Sequence, residues 1–137
     1  MNLRSFLEAL SAGGKTVFIG TILGLAALIV YVALAGSEVV YLWPWLITVA
    51  LISIFLGGLS GGMAGGTLGW LHGAVVAAFY LAVITVLKAV MFPTAEFGAS
   101  ALVLSAGILF AGAFGGVTGI NLRPLRRRRI RRRYLRG

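Results

Sequence analysis

Apolar residues run in four long stretches along this chain, about 16–36, 42–63, 70–92 and 99–120, with polar residues gathered in the gaps between them. Each passes the roughly 18 residues that mark a candidate membrane span, given a hydrocarbon core about 30 Å thick. Ahead of them, residues 1–15 place Leu3, Phe6, Leu7 and Leu10 on one helical face. This predicts a short amphipathic helix on the membrane surface, broken at Ser11–Lys15. The first stretch ends on Ala33-Leu34-Ala35, which resembles a signal-cleavage pattern. Its length and its Gly20-x-x-x-Gly24 spacing read instead as a spanning helix. Tyr41, Trp43 and Trp45 mark the outer interface of the second stretch, and Pro44 suits a helical first turn. A glycine-rich turn over 65–69 leads into the third, and a turn over 93–97 separates it from the fourth.

Composition and charge turn this pattern into a topology. Charged residues make up 11% of the chain, against about 25% in a soluble domain. Nine arginines fall within 121–137, whereas residues 1–120 hold only Arg4, Lys15 and Lys88 as cations. Glu38 and Glu96 lie in the two turns on the opposite side. By the positive-inside rule, both termini are cytoplasmic. The expected fold is all-α: one domain of four transmembrane helices in a glycine-packed bundle, N-in and C-in, followed by an arginine-rich tail over 121–137. Multi-pass insertion in a bacterial cytoplasmic membrane follows. Lys88 is near the outer end of the third span, where it can snorkel to the interface or pair with Glu96.

Glycines recur at steps of four. Gly57, Gly61, Gly65 and Gly69 form one row, and Gly58, Gly62 and Gly66 another. Gly107, Ala111, Gly115 and Gly119 form a third, with Gly112 and Gly116 beside it. Residues i and i+4 share a helix face. Such rows let backbones approach closely, which drives helix association in lipid where hydrophobicity does not. Packing within one bundle, a seam between copies, and a thin-walled pore are three uses of them. The Gly57-Gly58-x-x-Gly61-Gly62 pattern echoes Gly112-x-x-Gly115-Gly116-x-x-Gly119. That predicts two helical hairpins in parallel, related by an axis along the membrane normal.

The glycine series of the second span, the element Gly69-Trp70-Leu71-His72-Gly73, and Gly115-Gly116-x-x-Gly119-Ile120-Asn121-Leu122 together resemble the YrzE-like small four-span bacterial membrane proteins. The resemblance covers about 16–122. It implies a four-span fold without an established activity. Genes of that family are often found near those of translocon accessory proteins, which points by association to protein export. The family usually ends soon after the Asn-Leu pair, so the tail is a departure.

Chemistry is sparse. No carboxylate falls inside a span: Glu8, Glu38 and Glu96 sit at interfaces or in turns. This argues against a proton-coupled exchanger and against paired-carboxylate catalysis. With no cysteine and one histidine, a metal shell is not expected, and no cofactor is. A fluoride-type channel would need a phenylalanine-and-threonine signature in the third span, which is absent. His72 stands at a glycine-rich turn. It serves there either as a pH-responsive group or as a partner for nearby backbone carbonyls. Serines and threonines within spans are expected to bond back to their own helices. In the tail, Arg126, Arg127, Arg128, Arg129, Arg131, Arg132 and Arg133 are candidate phosphate ligands, and Leu125, Ile130 and Tyr134 are expected near one helical face. The leading expectation for the tail is a topology lock that binds anionic lipid headgroups; RNA, which offers the same phosphate geometry, is the lesser alternative. The leading expectation is a non-enzymatic accessory subunit, with a membrane-protein partner such as a translocon component. The rival is a homo-oligomeric small channel or lipid-handling protein.

Overall fold

The computed structural model describes residues 3–35, 42–65, 68–91 and 98–134, with side chains over 6–34, 44–65, 68–90 and 98–122. Among the described residues all regular structure is helical: α1 Leu3–Ala35, α2 Leu42–Gly65, α3 Gly69–Met91 and α4 Ala99–Tyr134. Each contains a segment long and apolar enough to cross a membrane: Phe6–Leu34, Pro44–Gly65, Gly69–Val90 and Ala99–Leu122. The turns that carry Glu38 and Glu96 lie outside the described residues, as do the side chains of Tyr41 and Trp43.

The ends of these helices follow local rules. Pro44 occupies the first turn of α2, where its missing N–H leaves no helical bond unmade. Lys88 stands in the last turn of α3, a favourable place for a cation beside the exposed carbonyls. Trp45 ties the C-terminal half of α1 to the start of α2. Its ring stacks on Tyr31 at 5.7 Å, and its Nε1 donates to the Gly24 carbonyl at 3.4 Å.

The start of the chain departs from expectation. The break at Ser11–Lys15 is not made, and α1 is continuous from Leu3 to Ala35. Nor does the lead lie on a surface. Ala9 is 1% exposed and Val17 is 3% exposed, with buried Gly13 between them. These three share one helix face, and that face lies against Gly57 and Gly61 of α2. Gly13 and Gly14 each cost roughly 1 kcal/mol of helix propensity. Contact with α2 and α3 along the Gly13 side offsets that cost.

Which residues meet defines the arrangement. Gly24, Gly20 and Val17 of α1 meet Val49, Ser53 and Gly57 of α2 in opposite order, so the two helices are antiparallel. The α3–α4 pair is also antiparallel, with Gly69 at Gly116 and Gly73 at Gly112. By contrast, Gly58 and Gly62 of α2 meet Gly112 and Gly116 of α4 in the same order, so those two run parallel. α2 touches all three other helices, whereas α1 and α4 do not approach each other. In cross-section the bundle is a rhombus with α2 and α3 on its short diagonal. Its centre is a small cluster of Val17, Ile54, Val76, Ala77 and Ile108, joined by Leu10, Leu51, Tyr80, Leu81, Leu104 and Ala111. Large apolar side chains such as Ile29, Val90 and Phe110 face outward, as they can when lipid is the solvent.

Candidate functional site: the glycine seams and His72

Adjacent residues on a helix differ by about 100° around its axis, so neighbouring glycine rows face different neighbours. In α2 they do. Gly57 faces Val17 and the Gly13 carbonyl, and Gly61 faces the Ala9 carbonyl and Val76. One step round, a side chain on Gly58 or Gly62 would land on the backbone of Gly112 or Gly116. The first row therefore meets α1, the second α4.

On α4, Gly112 and Gly116 are flanked from two sides. A Cβ on Gly112 would stand 2.6 Å from Ala77 Cβ and 2.7 Å from the Gly73 carbonyl oxygen. On Gly116 it would strike the Gly69 carbonyl. The relation is reciprocal, since Cβ atoms on Gly73 and Gly69 would strike the carbonyls of Gly112 and Gly116. In each case the hydrogen that replaces the side chain points at a carbonyl oxygen. Such Cα–H···O contacts recur between helices and contribute about 0.5–1 kcal/mol each. Gly115 and Gly119 lie over the carbonyls of Phe55 and Leu59 on α2.

The α2–α4 seam is symmetric in detail. Gly58 stands to Gly112 as Gly115 stands to Phe55, and Gly62 to Gly116 as Gly119 to Leu59. Exchanging α2 with α4 reproduces the seam, which is the local signature of the parallel-hairpin repeat. The symmetry stops there. α3 touches α2, but its counterpart α1 does not touch α4.

The other glycines divide between contact and open space. Gly20 faces Ser53, with 2.9 Å from a Cβ to its Oγ, and Gly24 faces Val49. Gly65 abuts the His72 ring. Gly107 and Gly14 face open space within 4 Å, so the α4 row does not extend to Gly107. Sequence reasoning missed Gly13 as a point of close approach, read Gly73 only as a motif residue, and put Gly69 on the α2 row although it opens α3. The signal was available as small residues at steps of four: Ala9, Gly13 and Val17, and Gly69, Gly73 and Ala77.

His72 lies in the first turn of α3 and is 3% exposed. Its Nδ1 is 2.6 Å from the Leu68 carbonyl oxygen, which also accepts the His72 backbone N–H at 3.1 Å. A carbonyl only accepts, so Nδ1 carries the proton in this arrangement. The expected service to a backbone carbonyl is thus seen at Leu68. Nε2 is buried with no hydrogen-bond partner. The Phe6 ring lies 6.4 Å away, so the start of α1 closes over this end of the bundle. Of the rest of that motif, Trp70 is exposed, Leu71 half-buried and Gly73 buried, while Asn121 and Leu122 are exposed on α4.

Hydroxyls behave as expected at several positions. Thr16, Thr48, Ser105 and Thr118 donate to the carbonyls four residues back, at Ala12, Pro44, Ala101 and Phe114. Ser60 donates to Gly57 at 3.0 Å and reaches the Ala12 carbonyl of α1 at 3.3 Å. Thr21 Oγ1 is buried without a partner. Among the described residues no group of three or more histidines or carboxylates comes together. The side chains of Arg126, Arg127, Arg128, Arg129, Arg131, Arg132 and Arg133 lie outside the described ones, though their backbone continues α4. Pro124 lies within α4. Pro124 removes the bond to the Ile120 carbonyl, which at the edge of the span water can satisfy.

Four long apolar helices make this a small multi-pass membrane protein. The chain belongs to the family described as Protein of unknown function (DUF3792), whose model matches residues 6–119. That match takes in the lead from Phe6 and stops short of Asn121, Leu122 and the arginines. No curated protein and no solved structure matches the chain.

Proposed function

We propose that this chain is a non-enzymatic accessory subunit of a bacterial cytoplasmic membrane, of the YrzE-like kind, with both termini cytoplasmic. It acts by packing: a compact glycine-packed bundle that offers an apolar outer face to a membrane-protein partner, such as a component of the export machinery. The carrying observation is where the glycine rows go. Gly57, Gly58, Gly61, Gly62, Gly112, Gly115, Gly116 and Gly119 all face other helices of the same chain. A pore lined by glycine would need those rows open. That supports the single-chain bundle over the homo-oligomeric channel or lipid-handling protein. The arginine positions nearest the span add anionic lipid headgroups as partners.

The test is affinity purification of the tagged chain from native membranes after brief crosslinking. A stoichiometric membrane-protein partner, with no solute flux from proteoliposomes holding this chain alone, is the expected result. Recovery of the chain and lipid only, together with flux, would replace this reading with the channel.

A further inference from the structure

The densest charge on the molecule rides on a helix. α4 continues from Ala99 through Pro124 to Tyr134, and its apolar span ends at Leu122. At about 1.5 Å of rise per residue, position 126 lies about 6 Å past that end and position 133 about 16 Å past it. The headgroup layer is about 5–7 Å deep on each side. Arg131, Arg132 and Arg133 therefore occupy positions beyond it along the helix.

Their register matters as much as their distance. Arg126, Arg127, Arg128 and Arg129 step round the helix by about 100° each, and Arg131, Arg132 and Arg133 fill positions between them. Ile130 and Tyr134 fall about 40° apart, but Leu125 falls on another side, so the apolar face expected of these three does not form. Without one, the segment lacks what holds a helix flat in an interface. A flat leaflet meets one side of a rod, and salt screens charges beyond about 8 Å. The groove of a regular duplex also leaves one side of a rod open. Folded RNA, with loops and bulges, brings phosphates from several directions. Arginine suits them because its planar fork binds phosphate through two hydrogen bonds.

We propose that α4 beyond Leu122 is a cationic rod that docks folded RNA, with Arg131, Arg132 and Arg133 as its outer contact positions. This goes beyond the accessory-subunit reading and does not depend on it.

The experiment uses the full chain in phosphatidylcholine nanodiscs and a fluorescent transfer-RNA transcript, read by anisotropy across a salt series. Changing Arg131, Arg132 and Arg133 together to Gln should weaken binding about tenfold or more. It should also lower the slope of log affinity on log salt by about 2–3, because each phosphate contact contributes about 0.7–0.9. Inserting three glycines after Ile130 keeps every charge and frees the outer arginines from the helix register, so it should weaken binding by a similar factor. Wild-type binding by either variant overturns the proposal. Phosphatidylglycerol nanodiscs decide about the leaflet: retained RNA binding supports the proposal, and its loss assigns the tail to lipid instead. A short DNA duplex that binds as tightly as the transcript overturns the choice of folded RNA.

Discussion

Gly107 and Gly115 lie on the same row of α4, and a methyl group would meet different surroundings at each. At Gly107 it meets nothing within 4 Å, while at Gly115 it falls on the Phe55 carbonyl. Gly107→Ala should therefore leave stability unchanged or raise it by up to about 1 kcal/mol, through helix propensity. Gly115→Ala should lower it by about 1–3 kcal/mol, the usual cost of overpacking. Tryptophan-monitored unfolding in mixed micelles reads both, and equal effects would refute the distinction. His72 allows a similar comparison. With Nε2 unpartnered, His72→Phe loses only the Leu68 bond, about 1 kcal/mol. His72→Ala also leaves a cavity beside Gly65 and Phe6, and should cost about 2–4 kcal/mol in the same assay. At this scale the sequence offered the spacing of its glycines. It could not tell Gly107 from Gly115, because spacing alone does not say where a neighbour stops.

Among the elements, α1 differs most from its sequence pattern. The apolar spacing of Leu3, Phe6, Leu7 and Leu10 is real, but a second face, Ala9 with Gly13 and Val17, decides where the segment goes. Small residues at that face allow contact with Gly57 and Gly61, and this wins over attachment to a membrane surface. The chain has no cysteine, so single cysteines report cleanly. A cysteine replacing Ala9 should react with a water-soluble maleimide at least about tenfold more slowly than one replacing Leu7, which is 55% exposed. Comparable rates would place the lead outside the bundle. At its C-terminal end, α4 runs on through Pro124 to Tyr134. Proline discourages a helix but does not forbid one where water can take the freed carbonyl.

In the molecule as a whole, the two hairpins meet chiefly along the symmetric α2–α4 seam. Two co-expressed fragments, divided between Gly66 and Thr67, should reassemble and co-purify, since each hairpin is a pair of spanning helices that inserts on its own. Gly62→Leu in the first fragment should abolish that recovery, because Gly62 lies directly on the Gly116 backbone. Co-purification that survives the substitution would show that another seam holds the halves. The four spans were readable from sequence, because the length of an apolar run against the thickness of a bilayer is a local property. So were the small-residue rows, since a period of four places residues on one face whatever lies opposite. Which helix fills each row was not readable. That α2 serves α1 with one row and α4 with the next, that α3 closes against α2 while α1 stays clear of α4, and that the first turns of α1 cover His72 all depend on how four helices share one volume. Those choices follow from mutual shape and register between distant segments, which tertiary structure alone decides.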